Sequence, residues 1–225
     1  MAAVFLAKRV AGDFYDAIRV SPERILFGLF DIAGRREENR AILRASQKIF
    51  RTLGSDLFAR SDINESEAMT ELCILLNRGI MEAEEGVRSC PAFLGCYHEK
   101  FGTLCYTNAG HTPALLRDSS GAIELPSGGL PLGLFSHATN DSPTVGFNRG
   151  ASLLVVSRGV VEGKCKDQKG EHSEYGLEGV KKSFLDNRTL GAEALCESIL
   201  KAVSESTCEP LVSDDVTVLA LVRTA

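Results

Sequence analysis

Apolar residues along this chain follow two spacings in turn. The opening stretches Val4–Val10, Tyr15–Val20 and Arg24–Ile32 are short apolar runs of strand length, and Ser21-Pro22-Glu23 supplies a turn between the last two. Spacings of three, four and seven then take over. Over Glu37–Leu57 the residues Ile42, Ile49, Leu53 and Leu57 recur at helical intervals. From about Glu65 to Glu84, Met69, Leu72, Leu76 and Ile80 line one helical face, with Asn64 placed to cap its start. β-type segments return at Phe93–His98, Thr103–Asn108, Pro113–Arg117 and Ala122–Leu125, separated by glycines and prolines that read as hairpin turns. Phe147–Val156 contains a further strand, and the polar Lys164–Glu174 reads as a loop. Helices are predicted near Gly179–Asp186 and Ala192–Ser204, and a last strand at Val216–Arg223.

Strands, two helices, strands, two helices and a strand predict an α+β fold with largely antiparallel sheets. The strands have few polar interruptions, which implies sheets covered on both faces. Two sheets with helices on the outside satisfy that. No repeat, low-complexity block or linker divides the sequence, so residues 1–225 read as a single domain.

Charge and composition narrow the function classes. The 25 Lys+Arg against 30 Asp+Glu give a net charge of −5, the opposite of a nucleic-acid surface. No apolar run approaches the roughly 18 residues of a membrane span. Lys8 and Arg9 follow the apolar start instead of preceding it, the reverse of a secretory signal. Seven cysteines, with no CxxC pair, read as reduced, core-filling thiols of a cytoplasmic protein.

Aspartates gather where strands stop. Gly12-Asp13-Phe14-Tyr15-Asp16 joins the first two strands, Asp31 ends the apolar Ile25–Phe30 run, and Asp214-Asp215 precedes the final strand. Spacing alone suits two jobs. One is capping turns, the commoner work of Asp. The other is holding a hard divalent cation such as Mg²⁺ or Mn²⁺, which takes oxygen ligands and relieves the repulsion between neighbouring carboxylates.

At these same residues the chain resembles the metal-dependent PPM-type protein phosphatases, in their bacterial SpoIIE/RsbU-like branch. Ala11-Gly12-Asp13-Phe14-Tyr15-Asp16 matches the opening motif of that branch, and Asp31-Ile32-Ala33-Gly34-Arg35-Arg36 is a degraded Asp-Val-Ser-Gly-His-Gly. Asn108-Ala109-Gly110-His111-Thr112-Pro113, Gly129-Leu130-Pro131-Leu132-Gly133 and Asp214-Asp215-Val216-Thr217 follow in the expected order. The resemblance implies two antiparallel β-sheets packed as a sandwich with helices on the outside. It also implies hydrolysis of phosphoserine or phosphothreonine by a metal-activated water, with one or two Mn²⁺ or Mg²⁺ ions. Asp13 would hold one metal, Asp31 would bridge both, the Ile32 carbonyl would serve the first, and Asp214, with Asp215 beside it, the second. The partner it implies is a phosphorylated regulator, of the anti-anti-sigma-factor kind, with no nucleic acid and no membrane. Nothing in the sequence specifies an oligomeric state.

One departure changes the chemistry. Where the family carries Thr-Asp-Gly or Ser-Asp-Gly after an apolar strand, this chain has Ser157-Arg158-Gly159, with Glu162 beyond it. Arg for a ligand Asp is a swing of two charge units. At an effective dielectric of about 20, like charges about 4 Å apart repel by roughly 4 kcal/mol, about a thousandfold in affinity. Two outcomes are compatible. Arg158 turns away and leaves a weakened enzyme, or its guanidinium takes the place of the second metal and leaves a silent domain that binds a phosphorylated partner. Arg35, close to Asp31 in sequence, is a candidate phosphate contact, while His111 reads as a turn residue.

Overall fold

The computed structural model describes residues 2–6, 13–32, 39–83, 89–166, 172–206 and 215–224. In chain order its elements begin with β1 (Ala2–Leu6), β2 (Phe14–Ser21), β3 (Arg24–Phe30), α1 (Arg40–Ala59) and α2 (Glu65–Ala83). β4 (Ala92–His98), β5 (Thr103–Ala109), β6 (Ala114–Asp118), β7 (Gly121–Leu125), β8 (Thr144–Gly146) and β9 (Ser152–Val156) follow. The chain continues through α3 (Arg158–Val161), β10 (Lys164–Lys166), β11 (His172–Glu174), α4 (Gly176–Asp186), α5 (Ala192–Ser206) and β12 (Thr217–Val222). Two antiparallel sheets, each with its own helices, make up two compact units.

The unit of 12–111 and 126–148 holds the sheet β2-β3-β4-β5-β8. Leu26 and Phe30 of β3 and Leu94 and Cys96 of β4 form one core with Phe50, Phe58, Leu72 and Leu76 of α1 and α2. Phe27, Leu29 and Phe93, on alternate positions of the same strands, are buried too. The near-continuous apolar runs are thus strands buried on both faces.

The inward face of α1 is centred differently from the sequence expectation. Ile42, Ser46, Phe50, Gly54 and Phe58 are buried, whereas Leu53 is 39% exposed. Small residues mark a close crossing: a Cβ on Gly54 would lie 2.9 Å from Leu26. The face of α2 agrees with its pattern, with Met69, Leu72, Leu76 and Ile80 all buried. The Asn64 side chain caps that helix, accepting from the backbone N–H groups of Ser66 at 3.1 Å and Glu67 at 3.3 Å.

The second unit, 1–11, 112–125 and 149–225, holds the sheet β1-β12-β9-β6-β7. Leu115, Leu154, Val156, Val218 and Ala220 pack with Val180, Phe184, Leu195 and Ile199 of α4 and α5. The segment read as a loop over Lys164–Glu174 contains an antiparallel pair, with Lys164 opposite Glu174. Short polar strands have no apolar alternation to betray them, and the three-residue β8 and four-residue α3 escaped for the same reason. Cys73, Cys90, Cys96, Cys105 and Cys196 are buried and form no disulfide, as the core-filling reading expects. Among the described residues no helix is long and apolar enough to cross a membrane.

Candidate metal centre

Asp13 and Asp31 are brought together by strand register. β2 and β3 pair with Phe14 opposite Phe30, so one step outward sets Asp13 opposite Asp31. The backbone N–H of Asp31 donates to the Pro91 carbonyl at 2.9 Å, extending the β3–β4 ladder by that same step. Directly opposed residues have Cβ atoms about 4.5–5.5 Å apart, a spacing at which two carboxylates repel. Both aspartates are half-buried, while the Ile32 side chain sits in the core, so any contribution from Ile32 comes from its backbone.

Cys90 lies beside this pair. Its backbone N–H donates to the Leu132 carbonyl at 2.8 Å, and the Leu132 N–H returns a bond to the Cys90 carbonyl at 3.0 Å. Burial pushes the Cys90 thiol well above its ordinary range, and the charges of Asp31 and then Asp13 push it the same way. The two aspartates are hard oxygen donors, of the kind that suits Mg²⁺ or Mn²⁺.

The other unit positions Arg158 and Asp215. β9 pairs with β12 with Val156 opposite Val218, and Ser157 continues that ladder by donating its N–H to the Thr217 carbonyl at 2.9 Å. The Ser157 hydroxyl donates to the Asp215 carbonyl at 3.0 Å and accepts the Thr217 N–H at 2.9 Å. Arg158 and Asp215 thus flank one clamp. Arg158 opens α3 and pairs through Nε with Glu162 Oε1 at 3.8 Å, both side chains being about half exposed at 45% and 52%. Asp214 and Arg35 lie outside the described residues. Among the described residues no group of three or more His, Cys, Asp or Glu side chains is clustered to hold a metal ion.

The family model of Stage II sporulation protein E (SpoIIE) matches residues 22–224. The chain belongs to the SpoIIE family. It is a member of the PPM phosphatases, in the branch that includes RsbU. The family match starts beyond Asp13, whose place rests on the β2–β3 register. Solved structures agree in fold. The RsbU and RsbW domains of Rv1364c from Mycobacterium tuberculosis are 22% identical with a TM-score of 0.77, over 97% of this chain and 58% of that one. This chain thus spans less than two thirds of that protein. The SiaA-PP2C domain of Pseudomonas aeruginosa is 16% identical with a TM-score of 0.78, over 99% of this chain and 84% of that one. RsbX in complex with magnesium is 13% identical with a TM-score of 0.65, over 97% and 92%. No curated protein matches the sequence.

Within this SpoIIE-family chain the motif residues without carboxylates have structural work. The Asn108 side chain accepts the His111 N–H at 2.8 Å and shapes a turn in which Gly110 takes φ +67°. A Cβ there would lie 2.4 Å from Pro131, so the two middle motifs meet through a glycine. Buried Asn77 of α2 accepts the Gly133 N–H at 2.7 Å and donates to the Phe135 carbonyl at 3.0 Å. The loop that holds Cys90 is therefore fixed to α2. Sequence reasoning missed Asn77, Cys90 and the Ser157 clamp. A polar residue on the apolar face of α2 was the available signal for Asn77. Cys90 had none, being one thiol among seven.

Proposed function

We propose that this chain is a metal-dependent serine/threonine protein phosphatase acting on a phosphorylated regulatory protein. Asp13, Asp31 and the Ile32 carbonyl would hold Mn²⁺ or Mg²⁺, with Asp214 or Asp215 serving a second ion. The observation that carries the reading is the Asp13–Asp31 pair. Two half-buried carboxylates opposed across a ladder offer a hard cation oxygen ligands from two strands, and this chain belongs to a phosphatase family. When bound, such an ion acidifies a water and offsets the charge of the phosphoryl group. The protein's own contribution is to fix the carboxylates on a rigid sheet end, through the Asp31–Pro91 bond and the Cys90–Leu132 pairing. We read residues 1–225 as one catalytic domain, since a single family match runs through both units. The partner class, an anti-anti-sigma-like regulator, draws support from a fold relative that carries RsbU and RsbW domains in one protein. A cytoplasmic location accords with buried thiols that form no disulfide.

The test is phosphate release from a phosphoserine peptide with Mn²⁺, against an Asp31→Asn variant and an EDTA control. Turnover that needs both Mn²⁺ and Asp31 supports the enzyme. A folded protein with no turnover above the variant at millimolar Mn²⁺ rules it out.

A second reading rests on the residue type of Arg158, which stands where the resemblance places a ligand carboxylate. A cation held at the position of a ligand carboxylate suits a catalytically silent domain that binds a phosphorylated signalling partner. In that case the same peptide binds without being hydrolysed.

A further inference from the structure

Ser157 stands at the N-cap position of α3, yet its side chain makes no capping bond to that helix. A serine at this position ordinarily accepts an N–H from the first turn. Here the hydroxyl is turned to β12 instead, donating to the Asp215 carbonyl and accepting the Thr217 N–H. With its own N–H bonded to the Thr217 carbonyl, one fully buried residue makes three bonds to the start of β12. Only a hydroxyl both donates and accepts in so small a volume.

We infer that Ser157 is a positioning residue: its hydroxyl fixes the backbone of Asp215, and so sets where the acidic segment that opens β12 is presented to a metal ion. The inference rests on the phosphatase reading above, in which that segment supplies a metal ligand. α3 forms without the cap, which accords with its length of one turn. Ser157 would thus act through Asp215 and touch neither metal nor substrate.

Two readouts test this, neither of them turnover. The first is Mn²⁺ binding, followed by the electron paramagnetic resonance of free Mn²⁺. The second is hydrogen exchange of the Thr217 amide in metal-free protein. Ser157→Ala removes an acceptor and a donor, and the expected result is Mn²⁺ affinity weakened about tenfold together with faster Thr217 exchange. Ser157→Thr keeps the hydroxyl and is expected to restore both. Fast exchange with wild-type Mn²⁺ affinity in Ser157→Ala would reduce the clamp to a fold contact and overturn the inference. Unchanged exchange would overturn it as well. If the added methyl of Ser157→Thr prevents folding, the two readouts on Ser157→Ala decide alone. Asp31→Asn separates this from the parent reading: wild-type protein that takes up no Asp31-dependent Mn²⁺ would remove the phosphatase reading, and the inference with it.

Discussion

Arg51 on α1 holds Asp16 on β2 at both carboxylate oxygens, Nε to Oδ2 at 2.5 Å and Nη2 to Oδ1 at 3.1 Å. Asp16 belongs to the same short motif as Asp13, but its carboxylate is buried and committed to the helix. The hydrogen bonds that Arg51 donates to Asp16, and then the carboxylate's charge, raise the Arg51 guanidinium above its ordinary range. Since the Arg51 side chain is itself 55% exposed, solvent screens the pair. A double-mutant cycle of Asp16→Ala and Arg51→Ala in urea unfolding is expected to give a coupling of about 1 kcal/mol. A coupling of zero would show that solvent screens the pair completely.

Arg158→Asp restores a carboxylate after β9. The change is expected to strengthen Mn²⁺ binding and raise phosphoserine turnover together. Half exposure and the pairing with Glu162 cut the repulsion well below its buried limit, so the gain is expected to be about tenfold. Steady-state kinetics over a Mn²⁺ series measures it. A variant that binds Mn²⁺ more tightly yet stays silent would favour the partner-binding reading.

Gly110 is constrained twice, by φ +67° and by Pro131, whose backbone nitrogen would lie 2.7 Å from an added Cβ. Gly95 of β4 has an ordinary φ and meets only the Phe27 ring, at 2.4 Å. Gly110→Ala is therefore expected to cost about 3 kcal/mol and Gly95→Ala about 2 kcal/mol. Urea midpoints give the order. Equal losses would show that the turn at Asn108–His111 gives way cheaply.

Buried thiols set an alkaline limit on stability. Burial pushes Cys105 up to about 11 and Cys73 and Cys196 up to about 12, with Cys90 and Cys96 moved in the same direction. The folded state keeps these protons when the unfolded chain begins to release them, near pH 8.5. Stability is thus whole below that pH and falls as pH rises toward the folded values, by about 1.4 kcal/mol per pH unit for each thiol. Urea unfolding between pH 8 and 10.5 is expected to show the decline. Cys73→Ala is expected to make it shallower by one thiol's share, and an unchanged slope would contradict the assignment.

Much of this was readable from the residues alone, for reasons of scale. Long periodic elements such as α2 announced themselves because burial repeats along them, and Asn64 capped where capping chemistry required. The Asp13–Asp31 register was not legible, because a bulge between Arg19 and Ser21 shifts β2 by one residue against β3 and the turn at Pro22 alone would set Asp13 opposite Ile32. On α1, Ser46 and Gly54 hid the true face, since close approach selects small residues that carry no apolar signal. Ser157 was invisible because it looks like any helix cap. Its role depends on β12, which meets it only through a pairing across some 60 residues of chain.

The sheet β1-β12-β9-β6-β7 implies an order of assembly. β2 with β3 and β4 with β5 are hairpin pairs of chain neighbours, while β3 meets β4 only across α1 and α2. β12, by contrast, sits between β1 and β9, with Ala2 opposite Leu221. As the chain leaves the ribosome, β9 has β6 to pair with, whereas β1 has only β12 and waits for the last strand made. Pulse-labelled hydrogen exchange during refolding should find amides of the β2–β3 hairpin protected ahead of those of β12. Catalytic competence that depends on the acidic segment before β12 would then arrive last, as the closing step of folding.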